Sequence, residues 1–444
     1  MKKSFQILSA LLLSGSIVTP ALATMDPSEL KGVEIRSLEV PGRRPELCVI
    51  PLHIPGVKYK KKDSAHEDLL CSLNIDVTAA TCAKTNSTNP GVNFFTSETL
   101  TPEQLIAAEC EAEDSKKQAK YKLSTSCSYT PSLLAYYHVS RALGNVLNVP
   151  LAVIRTMDID RHRSIAKKAL SLIGNKEELI YKTWSSLKSA LDAGKESKRA
   201  DLLFVDGYEQ SYGALQRNPR GEEKYPEFYN GGADQPARAA NFKKKSPIYK
   251  DLISSTNKVP REFNQENVQR FVQMRDAADM ILIDTILSQQ DRFGNVAAEI
   301  KYYYAGKKDG VFQVKSDDQD ELPAKVKDVA FAIKEVMLKD NDCGIVKSNT
   351  LKDAKLLQGV AHMSPQTYKN LLLFQQFMNT NEAHEYFEHE ILATDHDIRA
   401  IQRNLNDAVE LLQERCKDGD LKLDLDLDIY FSGAELPTSY SCTL

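Results

Sequence analysis

The chain has 444 residues, 42% of them hydrophobic, with one Trp, 18 Tyr and 15 Phe, which is enough apolar and aromatic mass for a sizeable core. Its 57 Lys and Arg against 61 Asp and Glu leave a formal net charge of -4, spread evenly, so nothing points to a nucleic-acid-binding surface or an electrostatic membrane anchor. A chain of this size suits one large two-lobed domain or two ordinary ones.

Lys2 and Lys3 precede an apolar run from Ile7 to Val18 and then Ala21-Leu22-Ala23. That is the three-part pattern of a secretory signal peptide over residues 1–23, with the mature chain of about 420 residues starting near Thr24. The apolar run is too short to span a bilayer comfortably, and no later stretch is longer, so no membrane span is expected in the mature chain. The lysine-rich, short leader has a bacterial look, and a periplasmic or secreted location follows. Eight cysteines, at positions 48, 71, 82, 110, 127, 343, 416 and 442, form an even set in an exported chain and imply disulfides. Five lie before residue 130 and three after 340, so full pairing requires a bridge between the two ends. Cys343, beside an acidic turn, is the expected tether to the N-terminal lobe. No pair has Cys-x-x-Cys spacing, which argues against zinc and thioredoxin-like redox sites.

Residues 28–60 alternate like strands, with turns at Pro41-Gly42 and Pro55-Gly56. Lys84 to Gly91 is a polar turn between strands, and Thr101-Pro102 opens a helix expected over 101–119. Gln118 to Ser124 reads as a short strand. From Pro131 an aromatic-rich helix runs through Leu133, Tyr136, Tyr137, Leu143 and Leu147, followed by the apolar strand Leu151 to Thr156. Helices follow at about 160–173 and 176–193. Residues 206–262, rich in Gly, Pro, Asn and charge, read as a loop-rich insertion. The helix expected over 264–290 ends on Asp291-Arg292-Phe293-Gly294-Asn295. A hairpin around Ala305 to Gly310 comes next, and then the apolar run Val336-Met337-Leu338 leads into Asp340-Asn341-Asp342. Ser364-Pro365 opens one C-terminal helix, and Thr394 with Asp397 opens another in capping-box fashion. The tail 420–431 alternates Leu and Asp as an exposed strand would.

An apolar helix that delivers an Asp to a turn, then a hairpin, then an apolar strand ending in an Asp, is the order of parts in kinase-type phosphotransferases. There the first Asp orients or deprotonates the attacking hydroxyl, while an Asn and the later Asp hold the metal that bridges ATP phosphates. Asp291 fits the first role, and Asn295 and Asp340 fit the second. Either turn taken alone is equally an ordinary capped or polar turn. Lys122, with Lys120 as a competitor, is placed to meet nucleotide phosphates from the strand before the aromatic helix. The turn 85–91 sits where a loop covering the phosphates would lie, though it lacks a Gly-rich pattern. Asp160-Arg161-His162 lies before the long helix and reads as charge opening a helix. His384 to His389 is not a zinc-protease motif, because its histidines are five residues apart. Asp424, Asp426 and Asp428 read as a charged strand edge.

The segments Ser132 to Gly144 and Asn148 to Arg155 resemble the helix and Val-Pro strand of the secretory-pathway kinases, the family of the Golgi casein kinase, xylose kinase and four-jointed proteins. Asp291-Arg292-Phe293 and Asp340-Asn341-Asp342 resemble that family's catalytic and metal turns. The resemblance spans about 120–155 and 280–345. It implies an α+β, two-lobed kinase-like fold, with a mostly β N-terminal lobe over 24–156 and a mostly α C-terminal lobe over 157–444. It also implies Asp291 as catalytic residue, Lys122 as nucleotide lysine, Asp340 and Asn295 as metal ligands, and ATP with Mg or Mn as cofactor. The implied reaction moves the γ-phosphate to a hydroxyl of a protein or glycan. Departures are specific: the family's helix glutamate falls near Leu133, Phe293 replaces a His, Asp342 replaces a Gly, and Asn295 lies four rather than five residues after its Asp. Two alternatives stand beside this reading. One is an inactive pseudokinase scaffold, and the other is a disulfide-stapled binding protein without a nucleotide site.

Overall fold

The computed structural model describes residues 25, 26, 28, 30–219, 221–346, 348–436 and 441–444, so the expected signal peptide lies outside the described residues. Alternating apolar residues and polar turns produce seven strands: β1 (Glu34–Leu38), β2 (Glu46–Ile50), β3 (Ala80–Ala83), β4 (Val92–Thr96), β5 (Lys116–Lys122), β6 (Ala152–Asp158) and β7 (Gln210–Arg217). They form one sheet in the order β1-β2-β6-β7-β5-β4-β3. Every adjacent pair is antiparallel. A second sheet holds β8 (Glu223–Lys224), β9 (Ala297–Lys308), β10 (Val311–Asp317) and β11 (Phe331–Met337), with β9 between β10 and β11 and β8 paired to β9. The C-terminal region beyond is helical, and the molecule is α+β.

Two helices set the positions of the acidic turns. Helix Thr130–Ala142 is buried along its whole length, because it lies between the first sheet and the helical region. Helix Gln265–Ile286, capped by Asn264, is buried without interruption from Asp276 onward and points its C-terminal end at Asp291. The capping residues read from the sequence are in place: Thr101 with Gln104 and Thr394 with Asp397 form capping boxes, and Ser364 caps the helix at Pro365. Among the described residues, no helix is long and apolar enough to cross a membrane.

Several expectations are corrected. The helix expected over 101–119 stops at Ala107. Glu109 and Cys110 take φ of 53° and 61°, and Cys110 is bridged to Cys82, so the chain leaves the helix early and re-enters as β5. Residues 206–262 are not mainly loop. They contain β7, in the middle of the sheet, and helices Gln235–Lys245 and Pro247–Leu252. The sheet of the N-terminal lobe therefore runs past residue 156 to Arg217. β7 (QSYGALQR) escapes a hydrophobic reading because its buried residues are mostly small or polar. Gly213 is needed there, since a Cβ would stand 2.3 Å from the Lys122 carbonyl oxygen. The tail is not a strand: Asp426 caps a helix at Leu427–Phe431, and Asp424 is buried against His362 Nδ1 at 2.9 Å. Asp160 does open a helix, pairing with Arg43 and Arg163.

All eight cysteines pair: Cys48 with Cys71, Cys82 with Cys110, Cys127 with Cys343, and Cys416 with Cys442. The Cys127–Cys343 bridge is the lobe-to-lobe tether expected of Cys343.

Candidate active site

β5 brings Lys120 and Lys122 to one face of the sheet, two residues apart as the pleat requires. The turn after β11 brings Asp340 and Asp342 to meet them. Lys122 Nζ donates to Asp342 Oδ2 at 2.6 Å and lies 3.7 Å from Asp340 Oδ1, while Lys120 Nζ is 3.5 Å from Asp340 Oδ1. The Lys122 and Asp342 side chains are each 2% exposed, whereas Asp340 is 31% exposed. Asp342 thus serves as the counter-ion of the buried lysine, and Asp340 remains the more accessible carboxylate. Asn89, in the turn between β3 and β4, also donates to Asp342 Oδ2, at 3.2 Å.

The acidic turn is held from both lobes. From the N-terminal side, Tyr129 N donates to the Asp342 carbonyl at 2.8 Å, Ser132 Oγ to the Asn341 carbonyl at 2.5 Å, and Cys127 is bridged to Cys343. From the other side, Gln290 N donates to the Cys343 carbonyl (3.3 Å) and Ile345 N to the Leu287 carbonyl (2.6 Å). Asp340 enters the turn in the left-handed region at φ 52°, ψ 46°, which Asp tolerates better than most residues. Gly344 is confined: a Cβ would fall 2.5 Å from Ser132 Oγ.

Arg292 ties the two acidic turns together. Its buried guanidinium grips Asp284 at 2.7 and 3.0 Å, donates to the Lys339 carbonyl at 2.8 Å and reaches Asn341 Oδ1 at 2.7 Å. Tyr136 OH closes the network on Asp284 at 2.6 Å. Asp291 itself is half-buried. It receives Gln235 Nε2 at 2.5 Å, and Asn295 Nδ2 bonds its carbonyl oxygen at 2.9 Å.

The electrostatics follow from this packing. Burial alone would raise Asp340, but Lys120, Lys122 and Lys84 outweigh it and hold the carboxyl well below its ordinary range. Burial would likewise raise Asp342, and Lys122 overrides it to keep Asp342 low. Burial would lower Lys122, yet Asp342 and Asp340 leave it raised. The flanking lysines go the other way: burial and the Lys122 charge push Lys120 down to about 7 and Lys84 down to about 8. Asp291 is raised, first by burial and then by the nearby Asp342 and Asp340 charges, with Gln235 pulling it partly back.

The structure therefore brings Lys122 and Asp340 into contact, whereas Asp291, with Asn295 beside it, feels that group only through the charges of Asp342 and Asp340. It adds Asp342, Lys84, Lys120, Asn89 and Gln235 as partners. The sequence carried one usable signal for this network: Asp284 interrupts the apolar run Met280 to Leu287 and so had to have a buried partner. Gln235 gave none, sitting in a segment read as loop.

Asp340 is a partly exposed carboxylate held in its ionised form by the surrounding lysines. Asn295 donates its Nδ2 to the Asp291 carbonyl, which leaves its amide oxygen unused in that bond. Among the described residues, no group of three or more His, Cys, Asp or Glu side chains is arranged to hold a metal.

Two crystal structures of the Golgi casein kinase, one with Mn and ADP bound, are similar to this chain at 14% identity. The first superposes at a TM-score of 0.41 over 80% of this chain and 76% of that one, and the second at 0.42 over 81% and 78%. No protein-family model matches the chain, and no curated protein matches its sequence.

Proposed function

We propose that this protein is a nucleotide-dependent phosphotransferase acting on a hydroxyl group outside the cytoplasm. The observation that supports it is the contact of Lys122 and Lys120 with Asp340 and Asp342, in a cluster whose charges also act on Asp291. Lys122, Lys120 and Lys84 bind the nucleotide phosphates, and Asp291 orients the acceptor hydroxyl and takes up its proton. Phosphoryl transfer needs mainly positioning and charge placement, which a fixed carboxylate and fixed ammonium groups supply. Asp340 and Asn295 are the residues to hold Mg or Mn, whose contribution when bound is neutralisation of phosphate charge. A protein or glycan acceptor fits the exported location, which the four disulfides support.

One observation favours a pseudokinase scaffold instead: the Lys122 ammonium is sequestered by Asp342 at 2.6 Å rather than by a helix carboxylate. Two measurements separate the readings. A thermal shift with ATP and manganese reports nucleotide binding, and transfer of radiolabelled γ-phosphate to the protein itself or to a hydroxyl acceptor reports catalysis. Asp291→Ala should abolish transfer with the melting temperature nearly unchanged. Binding without transfer in the wild type would leave the scaffold reading, and no binding at all would refute both.

A further inference from the structure

Helix Gln235–Lys245 docks its first turn on the turn that carries Asp291, and the docking is specific. Gln235 Oε1 accepts from Phe293 N at 3.0 Å, and its Nε2 donates to the Phe293 carbonyl at 2.9 Å and to Asp291 Oδ1 at 2.5 Å. One amide thus reads both backbone groups of Phe293 and one carboxylate oxygen. Arg238, one turn on, adds a bond to the same Phe293 carbonyl at 3.1 Å. The approach is close on both sides. A Cβ on Gly232 would stand 2.6 Å from Arg238 N, and one on Gly294 would stand 3.1 Å from Arg238 Nη1. Asp234 caps the helix through Ala237 N at 2.9 Å, so Gln235 sits at the first position of a capped, fixed element.

A carboxylate that must orient a hydroxyl needs one oxygen immobilised and the other free. We propose that Gln235 is the positioning residue of Asp291: its side-chain amide fixes the rotation of the carboxylate and keeps Oδ2 turned to the acceptor hydroxyl. This rests on the phosphotransferase reading and deepens it. It also gives the segment 231–238 a definite task, aligning the catalytic turn from outside the sheet and the long helix.

The experiment compares wild type, Gln235→Ala and Gln235→Glu for phosphotransfer, nucleotide affinity and melting temperature. Gln235→Glu keeps the length and the acceptor for Phe293 N but cannot donate to Asp291. Both variants should lose about 10- to 100-fold in kcat, the range expected for a misaligned catalytic group. Nucleotide Kd should stay within about 2-fold, because no phosphate contact is touched. The acidic limb of the kcat profile should move to higher pH in both variants, since the donor that favours ionised Asp291 is gone and Glu adds a like charge. If Gln235→Glu behaves as wild type while Gln235→Ala is impaired, the amide serves only the Phe293 backbone and the inference falls. Unchanged kcat and pH profile in both variants overturn it as well. A wild type that binds nucleotide but transfers nothing overturns the phosphotransferase reading and this inference together.

Discussion

Replacing Asp342 with Asn keeps the volume of the side chain and removes its charge, leaving Lys122 buried without its main counter-ion. Both side chains are 2% exposed and 2.6 Å apart, so water cannot substitute for the missing carboxylate. Removing one partner of a buried pair costs about 3–5 kcal/mol. Asp340, 3.7 Å from Lys122 and ionised, compensates in part, which places the expected loss near the lower end, about 3 kcal/mol. With an unfolding entropy of about 2.1 cal/mol/K per residue over about 420 residues, a single cooperative transition should fall by about 3 °C. Lys122→Met should destabilise by a comparable amount, because it strands the buried Asp342. The double variant should recover most of the loss, giving a coupling of about 2 kcal/mol or more in a double-mutant cycle.

Urea and thermal unfolding under oxidising conditions at pH 7 measure all four proteins. The pH dependence has a definite sign. Asp342 is lowered in the folded state, so its contribution is present above the ordinary carboxylate range and lost as pH falls through its folded value. Lys122 is raised, so its contribution is present below its ordinary value and lost as pH rises through the folded one. The difference between wild type and Asp342→Asn should therefore be largest between about pH 5 and 7, decline as Lys120, Lys84 and then Lys122 lose their protons, and shrink again below the carboxylate range. A coupling below about 0.5 kcal/mol would refute the account of Asp342 as the lysine's counter-ion.

Asp340→Ala should remove the metal-dependent part of ATP binding in calorimetry with and without manganese; unchanged metal dependence would transfer the ligand role to Asp342. The double variant Cys127→Ala/Cys343→Ala opens a link across 216 residues, worth up to about 5 kcal/mol in the chain-entropy model, and should lower the melting temperature more than loss of any of the other three bridges. Asp279 is buried and raised to about 7, first by burial, with Asp276 adding to it. It should cost stability as pH rises from about 4 to 7, because the unfolded chain releases that proton first. Asp279→Asn should flatten the decline in melting temperature over that window, and an unaltered slope would reject the assignment.

How much of this site the sequence revealed depends on the range of the interactions involved. Caps at Thr101, Ser364 and Thr394 are local hydrogen bonds within four residues, so residue type and spacing were enough to place them. Asp291 and Asp340 were legible because each ends a strongly apolar element, which fixes its direction. Counting required a bridge between the two ends, and the place of Cys343 beside the acidic turn singled it out. By contrast, β7 contributes a central strand with Gln, Ser, Tyr and Gly at buried positions, and its pairing with β5 depends on Gly213 admitting the Lys122 carbonyl. No periodicity announces such a strand. Gln235 is fixed by a contact 56 residues away in sequence, across a segment whose composition favours loops.

The departures from the kinase pattern resolve differently once partners are visible. The absence of an acidic residue between Pro131 and Thr156 looked like the loss of a lysine partner, and Asp342 in place of a Gly looked like a second, unrelated change. The 2.6 Å contact bears on both: the buried lysine has a counter-ion in Asp342. The turn that carries Asp342 is fixed by Tyr129 N and the Cys127–Cys343 bridge on one side and by the Gln290 amide and Arg292 on the other. The Lys122–Asp342 pair is thus set by a covalent bridge and backbone bonds, while Asp340, at 31% exposure, is the more open carboxylate of the group.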